Sequence, residues 1–171
     1  MLSGGFGVLV FPFRLRYTSR MPRGSQALLV TLQAFQLAFL LLHDWVPLGR
    51  LNDVSAVRRT ITPLQRIAGV LVPGIPVLIA LSLSVKYFGS PYFGWVKWWL
   101  LATYGFLFLG ELEAWWIPYF FGTTATRVAM YQSLFSRTHS FLTPRNGIVV
   151  NTLHVVLHAS TLATLIILLT T

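Results

Sequence analysis

The chain has no cysteine, and only four of its 171 residues are acidic. Without thiols it forms no disulfide, thiolate metal site or iron–sulfur cluster, and it supports no thiol redox chemistry. Charge of either sign is scarce. Asp, Glu, Lys and Arg together make up 10% of the sequence, against about a quarter in soluble domains. A soluble fold of this length needs more charge to cover its surface. Also absent are a phosphate-binding loop, a dinucleotide fingerprint and a nucleophile elbow, the short motifs of nucleotide and acyl chemistry. No internal repeat or low-complexity tract divides the chain.

What the chain does have is apolar length. Hydrophobic residues make up 55% and aromatics 15%, with six tryptophans, a composition suited to rings at the headgroup level of a bilayer. Four stretches approach the roughly 20 apolar residues that cross a hydrocarbon core as a helix. They are 26–43, 67–88, 98–121 and 148–169. The expected fold is an all-α integral membrane protein: a four-transmembrane-helix bundle with short connections over 25–171, after an N-terminal extension or interfacial segment at 1–24. That leading piece is a poor signal peptide. Its apolar run from Phe6 to Phe13 is short, lacks a basic stretch before it and is broken by Pro12. Met21 is an alternative start to Met1.

The net charge of +9 invites a nucleic-acid reading, but Lys and Arg sit in short segments between apolar spans, with no basic helix or aromatic-basic platform. The expected partners are anionic lipid headgroups and other membrane subunits, not nucleic acid. The expected location is a bacterial inner (cytoplasmic) membrane. Basic residues are nearly balanced between the two sides; a start at Met21 would place the two longer connections in the cytoplasm.

Pro73 and Pro76 predict a kink in the second span, because each removes a backbone donor and clashes with the preceding turn. The kink serves packing or forms the wall of a pocket. Gly89-Ser90-Pro91 and Asn146-Gly147 read as turns. Lys97, Trp98 and Trp99 read as an interfacial anchor.

The alternation of four spans assigns every acid and every histidine to one half of the molecule. His43 and Asp44 end the first span. Asp53 and His139 lie in the longer connections, where Asp44, Asp53, Arg50, Arg58 and Arg59 have the charges to form ion pairs. Glu111 and Glu113 occupy the later half of the third span, and His154 and His158 the first half of the fourth. At about 1.5 Å per residue, Glu111 and His158 lie about 15 Å below their helix ends, and Glu113 and His154 about 10 Å. An acid at the helix centre costs about 2.5–3.5 kcal/mol on insertion scales, so it is paired, protonated or turned inward. The level pairs predicted are Glu111–His158 and Glu113–His154, although two residues so spaced point roughly 200° apart.

His154 and His158 share one helix face with Asn151 and Thr161. That spacing suits a metal completed by a carboxylate such as Glu113. It equally suits a structural hydrogen-bonded network, or a ligand or proton path. HVVLH lacks the intervening Glu of a zinc-protease helix, and four histidines are too few for a membrane di-iron oxygenase. No cofactor is specified. Gln33 and Gln36 are expected to bond across helices, and Arg145 to hold an anion or a third-span carboxylate.

Two functional classes follow. One is a non-catalytic accessory or assembly subunit of a larger membrane complex of electron-transfer type. The other is a small membrane enzyme or carrier working at the Glu–His cluster, with Glu111 or Glu113 as the candidate base. In either case the candidate cluster is His43, Asp44, Glu111, Glu113, Arg145, Asn151, His154 and His158.

Overall fold

A computed structural model describes residues 21–171; the expected interfacial segment therefore lies largely outside the described residues. These residues form an all-helical chain with one isolated bridge, Arg145–Ile148. The helices are α1 (Arg23–Leu42), α2 (Val54–Thr60), α3 (Pro63–Lys86), α4 (Gly94–Glu111), α5 (Ile117–Phe121), α6 (Ala125–Phe135) and α7 (Thr152–Thr170).

Three of them, α1, α3 and α7, are long and apolar enough to cross a membrane. The chain is thus compatible with a multi-pass membrane protein. α4 falls short in apolarity because Lys97 and Glu111 lie within it. The fourth stretch also starts later than the sequence predicts. Asn151 caps α7 by accepting the His154 N–H at 2.9 Å, which leaves 148–151 outside the helix.

α1 packs on α3 and α7, and α4 closes the ring by packing on both. The two longer connections are more structured than expected, because α2 and α6 pack together. His139 fastens these connections. Its N–H donates to the Arg50 carbonyl at 2.6 Å and its carbonyl accepts from Thr152 N at 2.9 Å. The ion pairs expected in the first connection are not formed among the described residues. Asp53 instead caps α2, accepting from Ala56 N at 2.8 Å.

α3 starts on a capping box. Thr62 accepts from Gln65 N, and the Gln65 side chain accepts from Thr62 N, with Pro63 at the first helical position. Gln36 of α1 donates to Ser160 and Thr164 of α7, each at 3.1 Å. This is the cross-helix bonding expected of buried amides in an apolar bundle.

Asn146 and Gly147 both hold positive φ, 49° and 75°, and Arg145 and Ile148 exchange backbone hydrogen bonds around them at 3.1 and 2.9 Å. This is the two-residue turn that Asn-Gly favours.

The buried core is in two parts. Leu29, Ala80, Val96, Leu100, Tyr104 and Leu168 fill one end of the bundle. Trp115, Tyr119, Tyr131, Ile148 and Val150 fill the other.

Candidate functional site: a cavity between four helices

Between the four long helices lies a cavity of about 700 Å³, within the roughly 300–1,000 Å³ range of small-molecule sites. Its walls are mostly apolar. The polar exceptions are His43, Thr103, Glu111, His154 and His158. On the α3 side the wall is the proline kink itself: Gly69, Val72, Pro73 and Pro76 all line the cavity. Proline lacks an N–H, so Pro73 and Pro76 leave the carbonyls of Gly69 and Val72 without their helical donors. The proline stretch of α3 is therefore part of the pocket wall.

Val72 and Phe106 line this cavity and are also 74% and 76% exposed. A residue can do both only at a mouth. The cavity accordingly opens sideways between α3 and α4.

Glu111 is 6% exposed and His158 3%. Glu111 Oε1 lies 2.8 Å from Thr161 Oγ1, while Oε2 is buried with no hydrogen-bond partner. Thr161 Oγ1 is also 3.2 Å from the Leu157 carbonyl. One hydroxyl proton serves only one of these acceptors. Nδ1 of His158 is likewise buried without a partner. The expected Glu111–His158 pair shares a cavity wall, but no hydrogen bond joins the two.

His154 is held differently. Its Nδ1 lies 2.6 Å from Asn151 Oδ1, an oxygen that only accepts. Nδ1 therefore carries the proton and Nε2 is left as an acceptor. The ring sits 4.3 Å from Trp115, 5.5 Å from Phe135 and 5.6 Å from His43, centroid to centroid. His43 Nδ1 faces the Phe39 carbonyl at 2.9 Å, and Nε2 lies 3.2 Å from Asp44 Oδ1. Arg66 of α3 donates to the Asp44 carbonyl at 2.9 Å and stacks on Trp45 at 3.9 Å.

Glu113 does not belong to this cluster. Its side chain is 68% exposed and takes an ion pair from Arg127 at 2.8 Å, so the predicted Glu113–His154 pair is not formed. With Glu113 turned away, no three His, Asp or Glu side chains among the described residues converge as a metal-holding group. The metal expectation on His154, His158 and Glu113 therefore lacks its carboxylate in this structure. Arg145 reaches no third-span carboxylate either; its guanidinium lies over the Phe120 ring at 5.3 Å.

Glu113 turns away because it lies about 200° around the helix from the inward-facing Glu111, and Pro118 reshapes the backbone just beyond it. Helical pairing would give the Ala114 carbonyl to Pro118, which has no N–H. Ile117 N bonds back to Leu112 O, a π-type step over Leu112–Trp116 that leaves Glu113 O and Ala114 O without helical donors. α6 supplies them. Arg127 Nη2 donates to Glu113 O at 3.0 Å and Ala114 O at 3.4 Å, and Tyr131 Oη donates to Ala114 O in a short bond. Burial pushes the Tyr131 phenol above its ordinary pKa, which keeps it a donor.

Tyr131→Phe should cost about 1–2 kcal/mol, because it leaves Ala114 O with only the longer Arg127 contact at 3.4 Å. Glu113→Gln, at an exposed ion pair, should cost less than about 1 kcal/mol. Thermal unfolding in detergent compares the two. Adding Pro118→Ala, which restores an N–H for Ala114 O, should shrink the Tyr131→Phe loss. An equal loss in both backgrounds would dismiss the proline explanation.

The chain matches no protein-family model, no curated protein and no solved structure. Its chemistry therefore rests on the cavity.

Proposed function

We propose that this chain is a four-span protein of a bacterial inner membrane. In this reading it takes a lipid-soluble small molecule from the bilayer into the cavity and holds the molecule's polar end against Glu111, His154 and His158. The third span in this reading, added to α1, α3 and α7, is the helical run from Gly94 to Phe121. At about 40 Å it exceeds a hydrocarbon core of about 30 Å, which leaves room for Lys97 at one interface and Glu113 at the other. Helical spans suit an inner membrane, whereas outer-membrane proteins use closed barrels.

One observation carries the proposal: an apolar cavity with a sideways mouth holds two buried polar atoms, Glu111 Oε2 and His158 Nδ1, that have no partner. Buried polar groups are ordinarily satisfied, and a ligand's head would satisfy these. No Lys or Arg lines the cavity, which disfavours an anionic head and favours a neutral one bearing hydroxyl, carbonyl or amide groups. This is the carrier or enzyme class, with the metal removed from it. The accessory-subunit reading rests on small size and scarce extramembrane mass. The exposed Trp95, Trp98 and Phe121 suit lipid as well as a protein partner, so they do not favour that class.

The test is organic extraction of protein purified in mild detergent, followed by mass spectrometry. A neutral lipid-soluble species at near-equal molar ratio to protein, enriched over bulk membrane lipid, is expected. Recovery of phospholipids in bulk proportions alone would count against the proposal.

A further inference from the structure

The cavity's histidines and its acid form one strip that begins near water. Asp44 and His43 are partly exposed at the bundle end. His43 and His154 ring centroids are 5.6 Å apart, and His154 and His158 are 6.1 Å apart. His43, His154, His158 and Glu111 all line the same cavity.

We propose that this strip is a proton half-channel connecting the aqueous end of the bundle, at Asp44 and His43, with Glu111 inside the membrane. The proposal goes beyond ligand binding and does not depend on it.

The spacing supports relay through water. A direct nitrogen-to-nitrogen hydrogen bond of about 3 Å holds imidazole centroids within roughly 5 Å. The two observed separations exceed that limit and fall within the reach of one bridging water. The cavity has room for such waters, and along this strip His43, His154, His158 and Glu111 supply the polar partners they need.

At His154 the hydrogen bond to Asn151 fixes which nitrogen takes part. Asn151 keeps the proton on His154 Nδ1, so an incoming proton binds Nε2 and forms an imidazolium. The same Nε2 then releases it to a second water, and the ring returns to its starting tautomer. The proton next passes by way of His158 Nδ1 to Glu111 Oε2, which becomes a neutral acid. Each transfer breaks one N–H or O–H bond and forms another; nothing is oxidised or reduced.

The surroundings suit a transient imidazolium. The Trp115 ring lies 4.3 Å from His154, close enough for a cation–π contribution. The charged and titratable groups near the strip are Asp44 and His43 from α1, Arg66 from α3, Glu111 from α4, and His154 and His158 from α7. Arg66 is engaged with the Asp44 carbonyl and Trp45, outside the lining of the cavity. The one fixed cation named here thus sits at the aqueous end of the strip, and no Lys or Arg lines the cavity along the path from His154 to Glu111. Beyond His158, on the far side of α7, lies a groove of about 480 Å³ lined otherwise by aliphatic and aromatic residues. Glu111 is accordingly the terminus.

The experiment is time-resolved infrared spectroscopy of the protein in lipid films after a switch to D₂O, at a pH low enough to protonate Glu111. The chain has only four acids, so Glu111→Gln assigns the Glu111 carbonyl stretch by difference. Rapid exchange of that carboxyl is expected in the parent protein. His154→Phe, which keeps a ring beside Trp115, should slow exchange at least tenfold. His43→Phe should slow it as well, and His154→Gln should retain part of the rate.

Slow exchange in the parent protein would overturn the half-channel, and so would unchanged exchange in both phenylalanine variants. Because the parent measurement needs no variant, a folding defect in either variant leaves the proposal falsifiable. Because it needs no ligand, it fails or succeeds independently of the lipid-soluble occupant.

Discussion

Leucine at Gly110 should abolish occupancy of the cavity. Gly110 lines the cavity on α4, and a Cβ placed there meets nothing within 4 Å. The added side chain therefore grows into open space without a backbone clash, and it takes volume from the ligand. Occupancy or affinity should fall at least tenfold, equivalent to about 1.4 kcal/mol or more, while the melting temperature changes little. Gly105→Leu is the matched control. It lies on the same helix with equally open space at Cβ but does not line the cavity. Native mass spectrometry of the parent and both variants reads the result. Equal loss in the two variants would mean that bulk on α4, not the cavity, governs what is bound.

The largest expected loss of stability is at Gly147. Its φ is +75°, and a Cβ there would lie 2.7 Å from Val128 Cγ1. Left-handed backbone costs an ordinary residue about 1–2 kcal/mol, and forcing an extra carbon into a packed site costs about 1–3 more. Gly147→Ala should thus destabilise by about 2–5 kcal/mol. Its effect should be transmitted to the polar end, because Val128 belongs to α6, which also supplies the donors for Glu113 O and Ala114 O. Denaturant or thermal unfolding in detergent checks this. A loss below about 1 kcal/mol would mean that the 145–148 turn relaxes freely.

Apolar length was readable from the sequence because helix length and bilayer thickness set the same scale. α1, α3 and α7 fall where runs of about 20 apolar residues predict them. The start of α7 was misplaced by four residues because Ile148 and Val150 are apolar without being helical; they belong to the core beneath α6. The placing of His43, Glu111, His154 and His158 in one half of the molecule followed from helix alternation alone. What alternation could not supply was rotation about the third helix. Glu111 and Glu113 cannot both face inward, and the packing of α4 on α7 points Glu111 in; Pro118 then shifts the hydrogen-bond register into a π-type step. The signal was in the sequence, in the spacing of Ala114 and Pro118, but it needed the question of where the freed carbonyls find donors. Arg127 and Tyr131 answer it from a connection whose sequence gives no such hint. The cavity was legible only as a kink at Pro73 and Pro76, since a void depends on how four helices diverge and not on any one of them.

The most direct test is an experimental structure of the protein in lipid, from a lipidic crystal or a nanodisc, read for density between α3 and α4. The expected result is elongated density entering past Val72 and Phe106, with its head within hydrogen-bonding distance of Glu111 Oε2 or His158 Nδ1. A bundle in which α3 closes onto α4 and Glu111 finds a protein partner would contradict the ligand-binding cavity.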